Sequence, residues 1–221
     1  PATIEDPAIQ VIRGSLEHVQ TWESALDDVD VLIHLAAVTH GSDDRYDRIN
    51  AEGTRQLIAA AEKHGVKRCI YISTRAIGKR CGAYGASKEK AERIITQSKV
   101  PYLIVRPSEV YDDTFSSPEG IGMLARVIQR FPIIPYPRTT TQSFLAPIHV
   151  DDVAAALAAM IDNPFLENKI YTLTGPEVLT FREVVQRMSA YKGVRRLLVP
   201  FPSSLLFLVS SLDQCSRLLC P

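Results

Sequence analysis

Arg68-Cys69-Ile70-Tyr71-Ile72-Ser73 is the stretch that decides the fold. Its apolar run is nearly unbroken, so it reads as a strand covered on both faces, as strands of parallel sheets are. Upstream, Asp43 to His64 has helical periodicity, with Ile49, Leu57, Ile58 and Ala61 available for one face. Gly65 follows as a helix-terminating glycine. Before that helix, Val29 to Ala36 is a second apolar strand. Downstream, Tyr84 to Ser98 reads as a helix with Ala91, Ile94 and Ile95 inward, and Pro101 to Arg106 as a strand stopped by Pro107. Strand and helix alternate through residue 106, which predicts βαβ units in an α/β, doubly wound parallel sheet.

The flanks are less regular. Ala8 to Ile12 reads as a short strand, and Thr21 to Leu26 as a short helix capped by Thr21. Past Pro107 come a polar loop at 112–120, a helix from Ile121 to Arg130 and a Pro/Thr-rich connector at 131–144. Ala146 to Val150 reads as a strand entering a helix capped by Asp151 or Asp152. Lys169 to Leu173 reads as a strand, and Thr180-Phe-Arg-Glu183 as a capping box opening a helix to about Tyr191. Arg196 to Val199 reads as a last strand, and Ser203 to Leu219 as an apolar, helical tail. These readings divide the chain into residues 1–111, a partial sheet domain, and 112–221, a smaller substrate-binding lobe, with 146–175 returning to the sheet.

Composition excludes several function classes. The 221 residues carry 25 basic and 25 acidic side chains, so no electrostatic footprint for nucleic acid exists. Cys69, Cys81, Cys215 and Cys220 form no C-x-x-C pair and no metal spacing, which fits reduced thiols in a cytoplasmic protein. The apolar run Leu205 to Val209 is too short to span a bilayer. The apolar tail as a whole is a candidate dimer or aggregation surface.

Chemistry-bearing residues cluster at strand ends. His34-Leu35-Ala36-Ala37 closes one strand, where small side chains let a flat ligand approach the backbone. Ser73-Thr74 closes the next with two hydroxyls. Tyr84 and Lys88, one helical turn apart, open the following helix, and a lysine there favours the phenolate of an acid/base tyrosine. Arg106-Pro107-Ser108 closes the strand after that. In doubly wound sheets ligands bind at the carboxyl ends of strands. His34 reads as a packed strand histidine, and His18, His40 and His64 as solvated. Cys81 reads as a bystander thiol.

As an ordered set, Leu35-Ala36-Ala37, Asn50 with Gly53-Thr54, Tyr71-Ile-Ser-Thr74, Tyr84-Gly-Ala-Ser-Lys88, Arg106-Pro107 and Ile148-His-Val-Asp-Asp152 resemble the extended short-chain dehydrogenase/reductases. That group includes NAD-dependent sugar-nucleotide epimerases and dehydratases. The short Thr74–Tyr84 loop is closest to an atypical branch with a complex I accessory subunit. The resemblance, covering about residues 8–185, implies a Rossmann-like fold and NAD or NADP as cofactor. It implies Tyr84 as general acid/base and Lys88 as its partner and a ribose ligand. Thr74 best matches the third catalytic hydroxyl, with Ser73 its adjacent competitor. Leu35, Ala36 and Ala37 would line the adenosine side of the cofactor, and Pro107 and Ser108 the nicotinamide side. Asn50 would hold the helix against the strands. The implied activity is an epimerase or reductase on a nucleotide-sugar or similar hydroxyl or carbonyl compound. The alternatives are a non-catalytic nucleotide-binding or structural subunit, or a fragment without activity.

Departures from the family pattern carry expectations too. The family opens with a strand and a glycine-rich turn that cradles the pyrophosphate. This chain opens near the family's third strand, so it reads as an N-terminally incomplete piece of a longer protein. Ser15-Leu16 stands where Asp-Leu is common near the adenine. Arg75-Ala76 stands where 4,6-dehydratases carry an acidic pair, which argues against dehydration. Asp112-Asp113 replaces a common Gly-Pro and leaves the substrate loop unassigned.

Overall fold

The computed structural model describes residues 6–78, 82–117, 120–137 and 144–202. Four parallel strands carry the first unit: β1 (Val31–His34), β2 (Arg68–Ile72), β3 (Tyr102–Pro107) and β8 (Lys169–Leu173), in the order β1-β2-β3-β8. Register is continuous, with Ile33 opposite Ile70, Ile70 opposite Leu103, and Leu103 opposite Lys169. Between β1 and β2 the chain is helical from α1 (Asp43–Tyr46) through a π-helical stretch (Asp47–Glu52) into α2 (Gly53–Lys63). Gly65 then takes φ +72°, a left-handed conformation that glycine adopts without a Cβ clash. α3 (Gly82–Thr96) links β2 to β3.

Alternation along the strands sends side chains to two cores. Cys69, Tyr71 and Ile104 pack with Leu57, Ile58 and Ala61 of α2 and Ala91 and Ile95 of α3. Ile70, Leu103 and Val105 pack on Leu157, Met160 and Ile161 of α5 (Val150–Ile161). Helices thus cover both faces, which is why β2 and β3 tolerate an unbroken apolar sequence. Each fully buried Ile or Leu here stabilises the fold by about 1.5–3 kcal/mol.

The second unit is built from short elements: β4 (Val110–Tyr111), α4 (Gly120–Arg130), β5 (Ile133–Pro137), β6 (Phe144–Leu145), β7 (Ile148–His149), β9 (Leu179–Thr180), α6 (Phe181–Tyr191) and β10 (Leu197–Phe201). Parallel pairs form between β4 and β7 and between β5 and β10, and an antiparallel pair between β6 and β9. Ile121, Ala125 and Ile128 of α4, spaced to share a helix face, meet Val184, Val185 and Met188 of α6 over Ile134. The capping box at Thr180 and Glu183 forms in both directions, Glu183 N–H donating to the Thr180 hydroxyl and Thr180 N–H to the Glu183 carboxylate.

Several expectations need correction. Residues 8–12 make no strand, and Ile9, Val11 and Ile12 are exposed. A strand requires a ladder partner, and none of the described strands pairs with them. The Thr21-capped helix is instead two short 3-10 turns, Leu16–Thr21 and Glu23–Leu26. Ser15 caps the first by accepting from Glu17 N–H, and Trp22 breaks the run with non-helical backbone. The connector at 131–144 contains β5, whose Ile133-Ile134 pairs with β10 despite the flanking prolines. β7 pairs with β4 and not with the main sheet. The first unit comprises residues 1–107 and 155–173, and the second 108–154 and 174–221. Asp151 and Asp152 lie in the first turn of α5, not at its cap. His64 is not solvated: its Nδ1 meets the Asp27 carboxylate at 2.6 Å. Cys81, Cys215, Cys220 and the tail from Ser203 to Leu219 lie outside the described residues. No described helix is long and apolar enough to cross a membrane.

Candidate active site

The carboxyl ends of β1, β2 and β3 bring most of the sequence-selected residues together in the first unit. β1 ends in buried His34, and then Leu35 and Ala36 are exposed and Ala37 half-buried. Leu35 and Ala36 leave the strand end uncovered. β2 ends in Ile72, followed by Ser73 and Thr74. Ser73 N–H donates to Val105 O on β3 at 2.7 Å, so the backbone is fixed. Its hydroxyl, by contrast, is buried without a hydrogen-bond partner among the described residues. Thr74 Oγ1 accepts from Ala76 N–H at 3.1 Å and so closes a local turn. An orphan hydroxyl costs free energy unless something else completes it.

α3 presents Tyr84 and Lys88 one turn apart. Lys88 is only 2% exposed. Its ammonium donates to Ile72 O at 2.7 Å and lies 4.2 Å from the centroid of the Tyr71 ring. Burial pushes its pKa down to about 8, with Glu92 pulling the other way. Tyr84 is half-buried, its ring edge-on to Tyr46 at 5.9 Å. Tyr46 in turn donates its hydroxyl to Thr39 O at 2.8 Å.

His34 sits under this group as a packed residue. Its Nε2 meets Thr54 Oγ1 at 2.9 Å, and the Thr54 hydroxyl donates to Asn50 O at 2.6 Å. A hydroxyl has one proton to give, so His34 Nε2 carries the hydrogen of the first bond. Burial, and then the Lys88 charge, hold the imidazole down to about 3, so it is neutral at ordinary pH. Tyr71, 5.0 Å from the His34 ring, has its phenol pushed upward, first by burial and then by Tyr84, Glu92 and Cys69. Tyr71 is therefore a neutral wall and not a competing acid/base.

Two supporting contacts position the group. Asn50, in the π-helical stretch, accepts from Val38 N–H at 2.8 Å and donates to Val38 O at 3.0 Å and to Ser87 Oγ at 3.0 Å. One side chain thus ties the loop after β1 to the turn of α3 between Tyr84 and Lys88. Glu92, one turn past Lys88, receives Arg106 Nε at 2.9 Å and its Nη2 at 2.5 Å. This bidentate pair fastens α3 to the end of β3. Sequence reasoning missed Glu92: an acid four residues after Lys88 was visible, but its pairing with Arg106 was not. Pro107 ends β3 and accepts from Arg75 N–H at 3.3 Å. Ser108 belongs to the second unit, where its hydroxyl donates to Ala146 O. Among the described residues no cluster is suited to a metal.

Several known proteins are similar to the chain as a whole, in sequence or in fold. The chain is 26% identical over 198 residues to a ceramide reductase of Caulobacter vibrioides, which covers 89% of this chain and 61% of that protein. It is 26% identical over 174 residues to subunit 9 of the mitochondrial NADH dehydrogenase 1 alpha subcomplex of Dictyostelium discoideum, 78% of this chain and 47% of that one. Among solved structures, a UDP-glucuronic acid 4-epimerase from Bacillus cereus in complex with NAD superposes with a TM-score of 0.76 at 18% identity, over 89% of this chain and 70% of that chain. The chain therefore spans less than two thirds of the length of either sequence relative. A profile of the NAD(P)H-binding family matches residues 1–164. Together with the parallel sheet covered on both faces, that match makes the chain a member of the NAD(P)H-binding family.

Proposed function

We propose that the chain carries the acid/base half of an NAD- or NADP-dependent epimerase or reductase acting on a nucleotide-sugar or similar hydroxyl or carbonyl compound. The observation that carries the reading is buried Lys88, held between Tyr71 and Ile72 O one turn from Tyr84, with the Ser73 hydroxyl that follows Ile72 lacking a hydrogen-bond partner among the described residues. An ammonium that costs free energy to bury fits a site where it meets ribose hydroxyls and a phenolate.

The residues fit the cofactor the family implies. Leu35, Ala36 and Ala37 would take its adenosine side against the uncovered end of β1. Lys88 has hydrogens beyond the one given to Ile72 O, and would direct them to the nicotinamide ribose. Pro107 and Ser108 would take the nicotinamide side. When bound, the nicotinamide gives or receives the hydride at the substrate carbon. Tyr84 gives or takes the proton at the substrate oxygen, and the Lys88 charge favours its phenolate form. Thr74 would orient that oxygen, matching the family position. Its hydroxyl already closes a turn, so the orphan Ser73 hydroxyl is the competing candidate. Arg75-Ala76 offers no acidic pair, which disfavours elimination of water.

Tyr84→Phe should lower turnover by about 10²–10⁴-fold while leaving cofactor affinity unchanged, as measured by steady-state rates and by NADH fluorescence titration. Unchanged turnover would remove Tyr84 from the chemistry. Cofactor binding without turnover in the parent chain would favour a non-catalytic nucleotide-binding subunit.

A further inference from the structure

The second unit contains a cavity of about 370 Å³, within the size range of small-molecule sites. Its aromatic wall is made by Tyr111, Phe115 and Tyr191, and Leu179, Val184 and Met188 also line it. Tyr111 and Phe115 stack nearly parallel, 10° apart with centroids at 6.1 Å, and Tyr191 meets Phe115 edge-on at 5.8 Å.

The wall is held in place at a backbone cost. Phe115 has φ +52°, the left-handed region that a bulky residue rarely adopts. Asp112 keeps it there: Phe115 N–H donates to Asp112 O at 3.1 Å, and the Asp112 carboxylate accepts from Thr114 Oγ1 at 2.8 Å, Ser116 N–H at 3.1 Å and Ser116 Oγ at 2.7 Å. An over-determined outlier of this kind is common where a side chain is held for a ligand. Asp112 thus finds a role in the loop that the sequence left unassigned.

The charges around the cavity argue for the ligand class. A diphosphate needs uncommitted cations or amide donors. Arg187, the one basic residue among the described residues lining the cavity, already donates to both oxygens of Glu177 at 2.8 and 2.7 Å. The remaining charges there, Glu177 and Asp113, are carboxylates that repel phosphate. Lys192 outside the lining sits on the Phe115 ring, 4.9 Å from its centroid.

We infer that this cavity binds an uncharged hydrocarbon chain, as a lipid-like ketone or secondary alcohol carries, and not a sugar-nucleotide diphosphate. The choice of head group rests on the hydroxyl/carbonyl reading above. The test titrates the whole chain with dodecan-2-one, with UDP-glucose as competitor, by calorimetry. Saturable ketone binding that UDP-glucose does not displace is the expected result. Phe115→Gly should weaken it at least tenfold. Glycine accepts the left-handed backbone, so this variant keeps the fold, which its melting temperature checks. Tyr191→Ala, at a mostly exposed position, should weaken binding severalfold. Absence of saturable binding, displacement by UDP-glucose, or unchanged affinity in both variants would overturn the inference. If the ketone binds and is not reduced by NADH or NADPH, the redox reading fails and the cavity assignment stands.

Discussion

Each unit contains an arginine that grips a glutamate with two nitrogens, and the two pairs have different weight. In the first unit Glu92 is 5% and Arg106 31% exposed; in the second, Glu177 is 57% and Arg187 55% exposed. Two hydrogen bonds in each pair do not mean equal energy. Removing one partner of a buried pair strands a charge in a medium that cannot solvate it, whereas an exposed partner is rehydrated by water. The first unit therefore depends on polar contacts inside its core. The second depends on the apolar meeting of α4 and α6, with its charges outside. Polar groups held in fixed geometry suit proton transfer, and an apolar hollow suits selection by shape and hydrophobicity.

Arg106→Ala is the largest way to sharpen that contrast. It should cost about 3 kcal/mol by leaving Glu92 buried and unpaired, read from urea denaturation midpoints. Lys88→Met should act in the opposite sense. The Lys88 pKa is lowered from 10.5 to about 8, so its charged form disfavours the folded state. Folding releases that proton between the two values, so the parent chain gains stability as pH rises from about 8 to about 10.5. The methionine variant should be more stable by about 2 kcal/mol at pH 7, an advantage that shrinks across that window, and should lose turnover. A variant less stable than the parent at pH 7 would contradict this. At the small end, Arg187→Ala should leave the denaturation midpoint unmoved, since both partners are solvated. A clear drop there would erase the distinction between the units.

What was legible in the sequence follows the same division. β2, β3, the helix between them and the helix before β2 were readable because buried parallel strands are written as apolar runs and helices as a 3.6-residue period. The capping box at Thr180 was readable because its signal lies within four residues. Pairings of distant short segments were not readable. β5 with β10, and β7 with β4, are decided by which neighbours remain available, and two-residue strands leave no period. Ala8 to Ile12 shows the converse: a sequence with strand character makes no strand where none of the described strands pairs with it. At the candidate site, Tyr84, Lys88 and Ser73-Thr74 were visible as an ordered set. The Glu92–Arg106 grip, the proton order from His34 through Thr54 to Asn50, and the left-handed Phe115 depend on positions in space that spacing alone does not encode.

The π-helical stretch from Asp47 to Glu52 sets a limit on redesign. A π turn takes up one residue more than an α turn, so everything beyond it is rotated by about 100° relative to a regular helix. Asn50 lies within that turn, and Thr54 just beyond it is the partner of His34. Forcing residues 47–52 into regular α-helical hydrogen bonding at unchanged chain length would give a more regular helix by every local criterion of propensity and hydrogen bonding. It would also swing Thr54 away from β1 and separate the Val38 loop from Ser87. A protein engineer optimising this helix by itself would therefore improve the part and dismantle the whole.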